Sequence, residues 1–245
     1  IIVGNIEQPK IRTPFLQSMK NYTVIPNEAA EKLSSNDLFV FTVLSLTAHD
    51  DNTTDVTYEQ LAGFTGKSIG YIKDHFTKRL ESSGLCTIEG FVRAGNRRKR
   101  YTLPSVTDNF RIIRREILED GNLSSEEKGF LIALYCISVN NTFNMGLSGT
   151  QAIKKLGISR TAYYKHLKAL QEKGYIDFVG NYPQNPQFAN NPESLMLTCD
   201  WLGHRNYKEW LHGQEPFEHE TSKTLFILYR NCSDNLPYNY KIKCA

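Results

Sequence analysis

The chain repeats itself, and the repeat limits its architecture more than any other feature. "NYTVIP" at 21 has a counterpart in "NFRIIR" at 109, and "LSSNDLFVFTVLSL" at 33 matches "LSSEEKGFLIALYC" at 123. "TGKSIGYIKDHF" at 65 matches "LGISRTAYYKHL" at 156, and "LESSGLCTI" at 80 matches "LQEKGYIDF" at 170. The offset stays between 88 and 91 throughout. Two copies of one unit are expected, over 21–104 and 109–200, with a seam near Pro104–Asp108 where Pro and Ser break the pattern. An aromatic-rich extension, 201–245, follows the second copy.

Each unit reads the same way. An extended apolar stretch (Tyr22–Ile25, Phe110–Ile113) leads to a Ser-capped helix. Ser34 with Asp37, and Ser124 with Glu127, put an acceptor at the N-cap and an acid three residues on, which suits the orphan N–H groups and the helix dipole. The helix bodies 35–48 and 125–139 are nearly all apolar and should be core. Thr57 with Gln60, and Ser148 with Gln151, are capping boxes opening a short second helix. Gly66 and Gly157 make the next turn. A longer helix starts at Ser68 or Ser159 and closes at Gly84 or Gly174. "LCTIEGF" with "RYTL", and "YIDFV" with "LMLTC", then read as hairpins. The fold class is mainly α with small β-hairpins, an α+β arrangement. Helix, short helix, tight turn, longer helix and hairpin is the order of a winged helix-turn-helix, so two such domains in tandem are expected.

Composition narrows the function. With 40% hydrophobic and 22% charged residues the chain can bury a core, and a net charge of +3 permits a polyanionic partner only where the positive charge is clustered. No run of about 18 apolar residues occurs, so no membrane span is expected. Residues 1–20 contain no secretory h-region. Cys86, Cys136, Cys199, Cys232 and Cys244 form no C-x-x-C pair and read as free thiols of a reducing cytoplasm. His212 and His219 among Glu215, Glu218 and Glu220 read as a solvated acidic loop, so no metal and no cofactor is expected.

Gly66-Lys67-Ser68 looks like the end of a phosphate-binding P-loop. That motif needs a Gly at position 61, where this chain has Leu61, and no β-branched strand runs into the loop. In the helix-turn-helix frame Gly66 makes the turn, Ser68 caps the recognition helix and Lys67 sits where a DNA phosphate would pass.

"LGISRTAYYKHLKALQEKGYI", combined with "LSSEEKGFLIALY", resembles the helix-turn-helix modules of bacterial plasmid and phage replication-initiator or replisome-organiser proteins and of related regulators. The likeness covers about 21–103 and 109–199. It implies a protein that binds double-stranded DNA, in replication initiation of a mobile element or in transcription regulation, without chemistry of its own.

The residues expected to touch DNA follow from helical phase. In the second recognition helix Tyr163, Leu167 and Leu170 face the core, leaving Arg160, Thr161, Tyr164, Lys165 and Lys168 outward. Arg and Lys can donate to guanine edges or phosphates, and Tyr to phosphate. Lys154 and Lys155 in the preceding helix lie near the backbone. In the first recognition helix Ile72, Phe76 and Leu80 face inward, and Ile69, Gly70, Lys73, Asp74 and Thr77 outward, with Lys67, Lys78 and Arg79 adding charge nearby. The first hairpin compensates: "VRAGNRRKRY" holds Arg93, Arg97, Arg98, Lys99 and Arg100 around an expected Gly95-Asn96 turn, with no acid between Phe91 and Thr107. A basic wing tip of this kind, taken as flexible, suits phosphates or a minor groove. The second wing, "GNYPQNPQFANNPE", carries no base and reads as a loop that meets a partner or covers the domain. The tail, with Trp201, Tyr207, Trp210, Phe217, Phe226 and Tyr229, is expected to pack back on the second unit, with a homodimer surface as the alternative.

The rival classes are a DNA-processing enzyme, such as a nuclease or relaxase accessory, and a protein-interaction scaffold. A rolling-circle nuclease would need a His-x-His pair, which the six histidines do not form. Tyr163-Tyr164 could suggest a strand-cleaving nucleophile, but the phase buries Tyr163. The basic wing argues against a scaffold.

Overall fold

The computed structural model describes residues 19–139, 143, 145–180 and 193–203. It is an α+β protein with small antiparallel sheets. The first repeat runs β1 (Tyr22–Pro26), α1 (Ala29–Lys32), α2 (Ser35–Leu46), β2 (Thr53–Thr54), α3 (Tyr58–Thr65), a π-helical turn (Tyr71–Phe76) continuing into α4 (Thr77–Ser83), then β3 (Thr87–Arg93) and β4 (Asn96–Thr102). The second runs β5 (Phe110–Arg114), a 3-10 turn (Arg115–Leu118), α5 (Ser125–Ile137), α6 (Gly149–Leu156), α7 (Arg160–Glu172), β6 (Ile176–Gly180) and β7 (Glu193–Leu197), and β8 (Leu202–Gly203) follows. No helix among the described residues is long and apolar enough to cross a membrane.

The caps act as their spacing implies. Thr57 with Gln60, Ser124 with Glu127 and Ser148 with Gln151 form reciprocal boxes. Gly66 and Gly157 stop α3 and α6 in the left-handed region, at φ +67° and +63°. That region costs any side chain with a Cβ, so glycine makes each turn.

Both core helices are buried nearly all round: ten of the twelve residues of α2, and ten of the thirteen of α5. Neither has a solvent face, so each needs partners on every side, and each supplies the other's. The backbones approach closely at Gly129, where an added Cβ would lie 1.7 Å from the Ser35 carbonyl oxygen. One continuous apolar core results, drawing Ile25, Leu38 and Phe41 from the first repeat and Ile113, Phe130 and Leu134 from the second.

The repeats also share a sheet. β1 pairs antiparallel with β5, Tyr22 opposite Arg114 and Pro26 opposite Phe110. Positions 22 and 110, and 26 and 114, are equivalent in the repeat, so the pairing is isologous about Val24 and Ile112, as across a two-fold dimer interface. The flanking bonds obey the same symmetry: Asn27 N–H donates to Asn109 O at 2.7 Å, and Arg115 N–H to Asn21 O at 2.8 Å.

Two features break the symmetry. β8 pairs with the far edge of β5, placing the start of the extension in the sheet. Trp201 beside it is buried, its indole N–H donating to Asp120 at 2.9 Å. Arg111 is buried as well and donates to the carbonyl oxygens of Tyr135 and Ser138 at 2.7 and 2.8 Å, satisfying the C-terminus of α5.

Gly129→Ala tests the shared core. Alanine normally gains about 1 kcal/mol over glycine inside a helix. Here the obstacle is backbone that cannot rotate away, and overpacking of a tight core costs about 1–3 kcal/mol or more. A net loss of stability of about 2 kcal/mol is expected, read as a lower urea midpoint.

Candidate nucleic-acid interface

In the second repeat the helix pair is built as its sequence implies. Ser159 caps α7 by accepting from Ala162 N–H at 3.2 Å, and Tyr163, Leu167 and Leu170 are buried. Phe130 of α5 packs edge-on against Tyr163 at 5.8 Å and fixes the rotation of α7. Arg160, Thr161, Tyr164, Lys165 and Lys168 share the exposed face. The Arg160 guanidinium lies 5.7 Å from the centre of the Tyr164 ring. The Tyr164 hydroxyl approaches the start of α6, where a Cβ on Gly149 would come within 2.9 Å of it. Lys168 has an exposed ion pair with Glu172 at 3.8 Å, and Lys154 is exposed. Lys155 is also exposed but reaches Glu31 of α1 at 3.5 Å, tying α6 to the first repeat.

The first repeat departs from expectation in its recognition helix. The offset between the repeats is 91 from Thr65 to Phe76 and 90 from Leu80, so the first helix carries one extra residue. The π-helical turn at Tyr71–Phe76 absorbs it. Thr77, expected outward, is 1% exposed, and both its N–H and its hydroxyl donate to Ile72 O, five residues back.

Two bases expected near DNA have partners within the fold. Lys67 turns inward, donating to Asn36 Oδ1 and lying 5.5 Å from the centre of the Tyr71 ring. Burial lowers its pKa, outweighing the opposing charges of Glu126 and Asp37. Arg79 holds Asp37, whose carboxylate is 0% exposed, through Nε at 2.7 Å and Nη2 at 2.8 Å. The Tyr71 hydroxyl donates to the same carboxylate at 2.7 Å, and its own pKa is pushed up to about 12 by burial and that bond. Ser68 accepts from Tyr71 N–H at 3.1 Å and so starts the helix. Lys73 stays exposed, as do Asp74 and Ile69.

The basic hairpin is a paired strand rather than a loose tip. Its turn is Ala94-Gly95, at φ +48° and +77°, with Arg93 opposite Asn96, not Gly95-Asn96. A two-residue turn with both φ positive matches the twist of the strands, and Ala94 accepts the strained conformation to make it. Arg97, Arg98, Lys99 and Arg100 therefore lie along β4, opposite Val92, Phe91, Gly90 and Glu89. Arg100 covers the Phe91 ring at 5.0 Å, and Arg93 pairs with Asp55 at 2.8 Å. Between β4 and the first turn of α3 lies a cleft of about 540 Å³, lined by Arg97, Arg98 and Lys99 against Thr57 and Glu59. The second wing's loop, 181–192, and the extension from 204 onward, including the expected dimer surface, lie outside the described residues.

Tyr163, the residue weighed as a strand-cleaving nucleophile, is 3% exposed, and burial pushes its hydroxyl up to about 12. Comparison with protein-family models, curated proteins and solved structures gave no match.

Arg79→Ala would leave a buried carboxylate with only neutral donors. Losing the charged partner of a buried group costs about 1–3 kcal/mol. A stability loss of that size is expected in chemical denaturation, and it should be larger than for Lys78→Ala, which is exposed on the same helix.

Proposed function

We propose that the chain is a sequence-specific double-stranded DNA-binding protein whose repeats are two winged helix-turn-helix units. One observation carries this reading. Arg160, Thr161, Tyr164, Lys165 and Lys168 stand together on the exposed face of α7, the second helix of a glycine-turned pair, while the opposite face is locked into the core. A rigid helix presenting Arg, Thr, Tyr and Lys outward has the donors to read guanine and to fix phosphates. The basic strand β4 supports the same reading, since its four consecutive cations alternate between its two faces, Arg97 and Lys99 on one and Arg98 and Arg100 on the other, and either pair offers donors to a phosphate backbone.

The isologous β1–β5 pairing gives the target a form. Units related by an approximate two-fold meet a duplex in opposite senses, so its target is bipartite, with two unlike half-sites in inverted orientation. The second unit reads chiefly through its helix, and the first grips chiefly through its hairpin. The resemblance of the recognition-helix sequence to initiators and regulators favours a role in replication of a mobile element or in transcription control. A reducing cytoplasm agrees with Cys86, Cys136 and Cys199 being free thiols.

Selection from a random duplex library, followed by binding titrations, tests the proposal. Arg160→Ala should reduce discrimination at one base pair by about 1–3 kcal/mol. If Arg160→Ala, Tyr164→Ala, Lys165→Ala and Lys168→Ala all leave affinity and preference unchanged, the α7 face is misassigned. Replacing Arg97, Arg98, Lys99 and Arg100 by Ser should weaken specific and random duplexes alike. It should also flatten the slope of log affinity against log salt by about two to four units, at about 0.9 per phosphate.

A further inference from the structure

The two recognition helices differ most where they begin. Counted through the repeat at offset 91, the position of Arg160 in the second unit is held by Ile69 in the first, and that of Thr161 by Gly70. Ile69 is 46% exposed, one of three large apolar side chains left exposed among the described residues. It is not a core anchor, because Ile72, Phe76 and Leu80 take that role on the opposite face. Gly70 beside it leaves open space: an added Cβ would meet only Ser68 Oγ, at 3.9 Å. Lys67, the base just before this end, is engaged with Asn36. The result is a single apolar side chain standing beside an open glycine at the start of this helix, one turn before the exposed Lys73.

The major groove offers one apolar feature, the C5-methyl group of a pyrimidine. We infer that Ile69, with Gly70 permitting close approach, makes the first unit read a pyrimidine C5-methyl group. Thymine carries that group, as does 5-methylcytosine. The inference rests on the DNA-binding function proposed above. It assigns opposite chemistry to the two half-sites, a methyl read by Ile69 and a hydrogen-bonding edge read by Arg160.

The test uses the full chain and its selected duplex. Each thymine is replaced singly by uracil, which pairs identically and lacks only the methyl. In a second arm each cytosine is replaced by 5-methylcytosine. Uracil at one position of the first unit's half-site should weaken binding about fourfold, the worth of one buried methyl-sized group. In Ile69→Ala that position should become indifferent to the methyl, with the salt slope unchanged. Sensitivity only in the second arm would identify methylated cytosine as the source. The assignment is overturned if no methyl substitution alters affinity, or if Ile69→Ala stays as sensitive as the parent. It is also overturned if Ile69→Ala alters oligomeric state while methyl sensitivity persists, which would make Ile69 a self-association contact. Failure to bind any duplex would overturn the DNA-binding reading as well, and is distinguished because binding itself is then absent.

Discussion

Everything in this molecule depends on the antiparallel contact between its halves. β1 against β5 closes a sheet that neither repeat could make alone, and α2 against α5 buries two helices that have no polar face. The hydrophobic term favours the joined form at about 25 cal/mol for each Å² of apolar surface removed from water, and no other described element could cover so much of either helix. The close approach at Gly129 brings the helices near enough for their side chains to interlock. Further cross-links tighten the joint, including the Ser125 hydroxyl donating to the Thr65 carbonyl at 2.6 Å and Lys155 reaching Glu31. Each tie runs from a core or connecting element of one repeat to a helix pair of the other, so the two exposed helix faces are held in fixed relation.

Around that shared core the repeats have taken different uses for the same residue types. Arg79 and Lys67 spend their charge inside the first unit, on Asp37 and Asn36. In the second unit the acid at the matching cap position, Glu127, is held by Lys173 from the far end of α7, at 2.7 Å. That arrangement makes no use of the outward bases of α7, although Lys168 pairs with Glu172 along the same helix. The first unit also carries four consecutive cations on β4, where cross-strand pairing fixes their alternation between the two faces of the hairpin.

Much of this was legible in the sequence. The repeat, the Ser- and Thr-capped helix starts at Ser34, Thr57, Ser68, Ser124, Ser148 and Ser159, the turn glycines and the inward phase of Tyr163, Leu167 and Leu170 follow from local rules that a residue and its near neighbours satisfy. What escaped was decided at long range. Nothing near Val24 announces that its strand pairs with one 88 residues later, although apolar extended stretches in both units show that each needs a partner. Arg111 reads as a surface base until the carbonyl groups of α5 close over it. Lys67 reads as a phosphate contact because its turn inward depends on Asn36, in another helix. The π-helical turn did leave a trace, the step in offset from 91 to 90, and Thr77 is the residue that step displaces inward. Ala94 took the turn from Gly95-Asn96 because strand register, not glycine preference, sets where a hairpin bends.

The all-round burial of α2 has a consequence for biosynthesis. Its main partner α5 ends 91 residues later in the chain, at Ile137 against Leu46. At about 5–20 residues per second a ribosome needs roughly 5–20 s to span that interval. Throughout it the nascent first half carries an apolar helix and the unpaired inner edge of β1, the kind of surface that holdase chaperones bind and that other unfinished copies could pair with. Fusing the two units in one chain shortens this exposure, because the partner arrives at high effective concentration as soon as it is made.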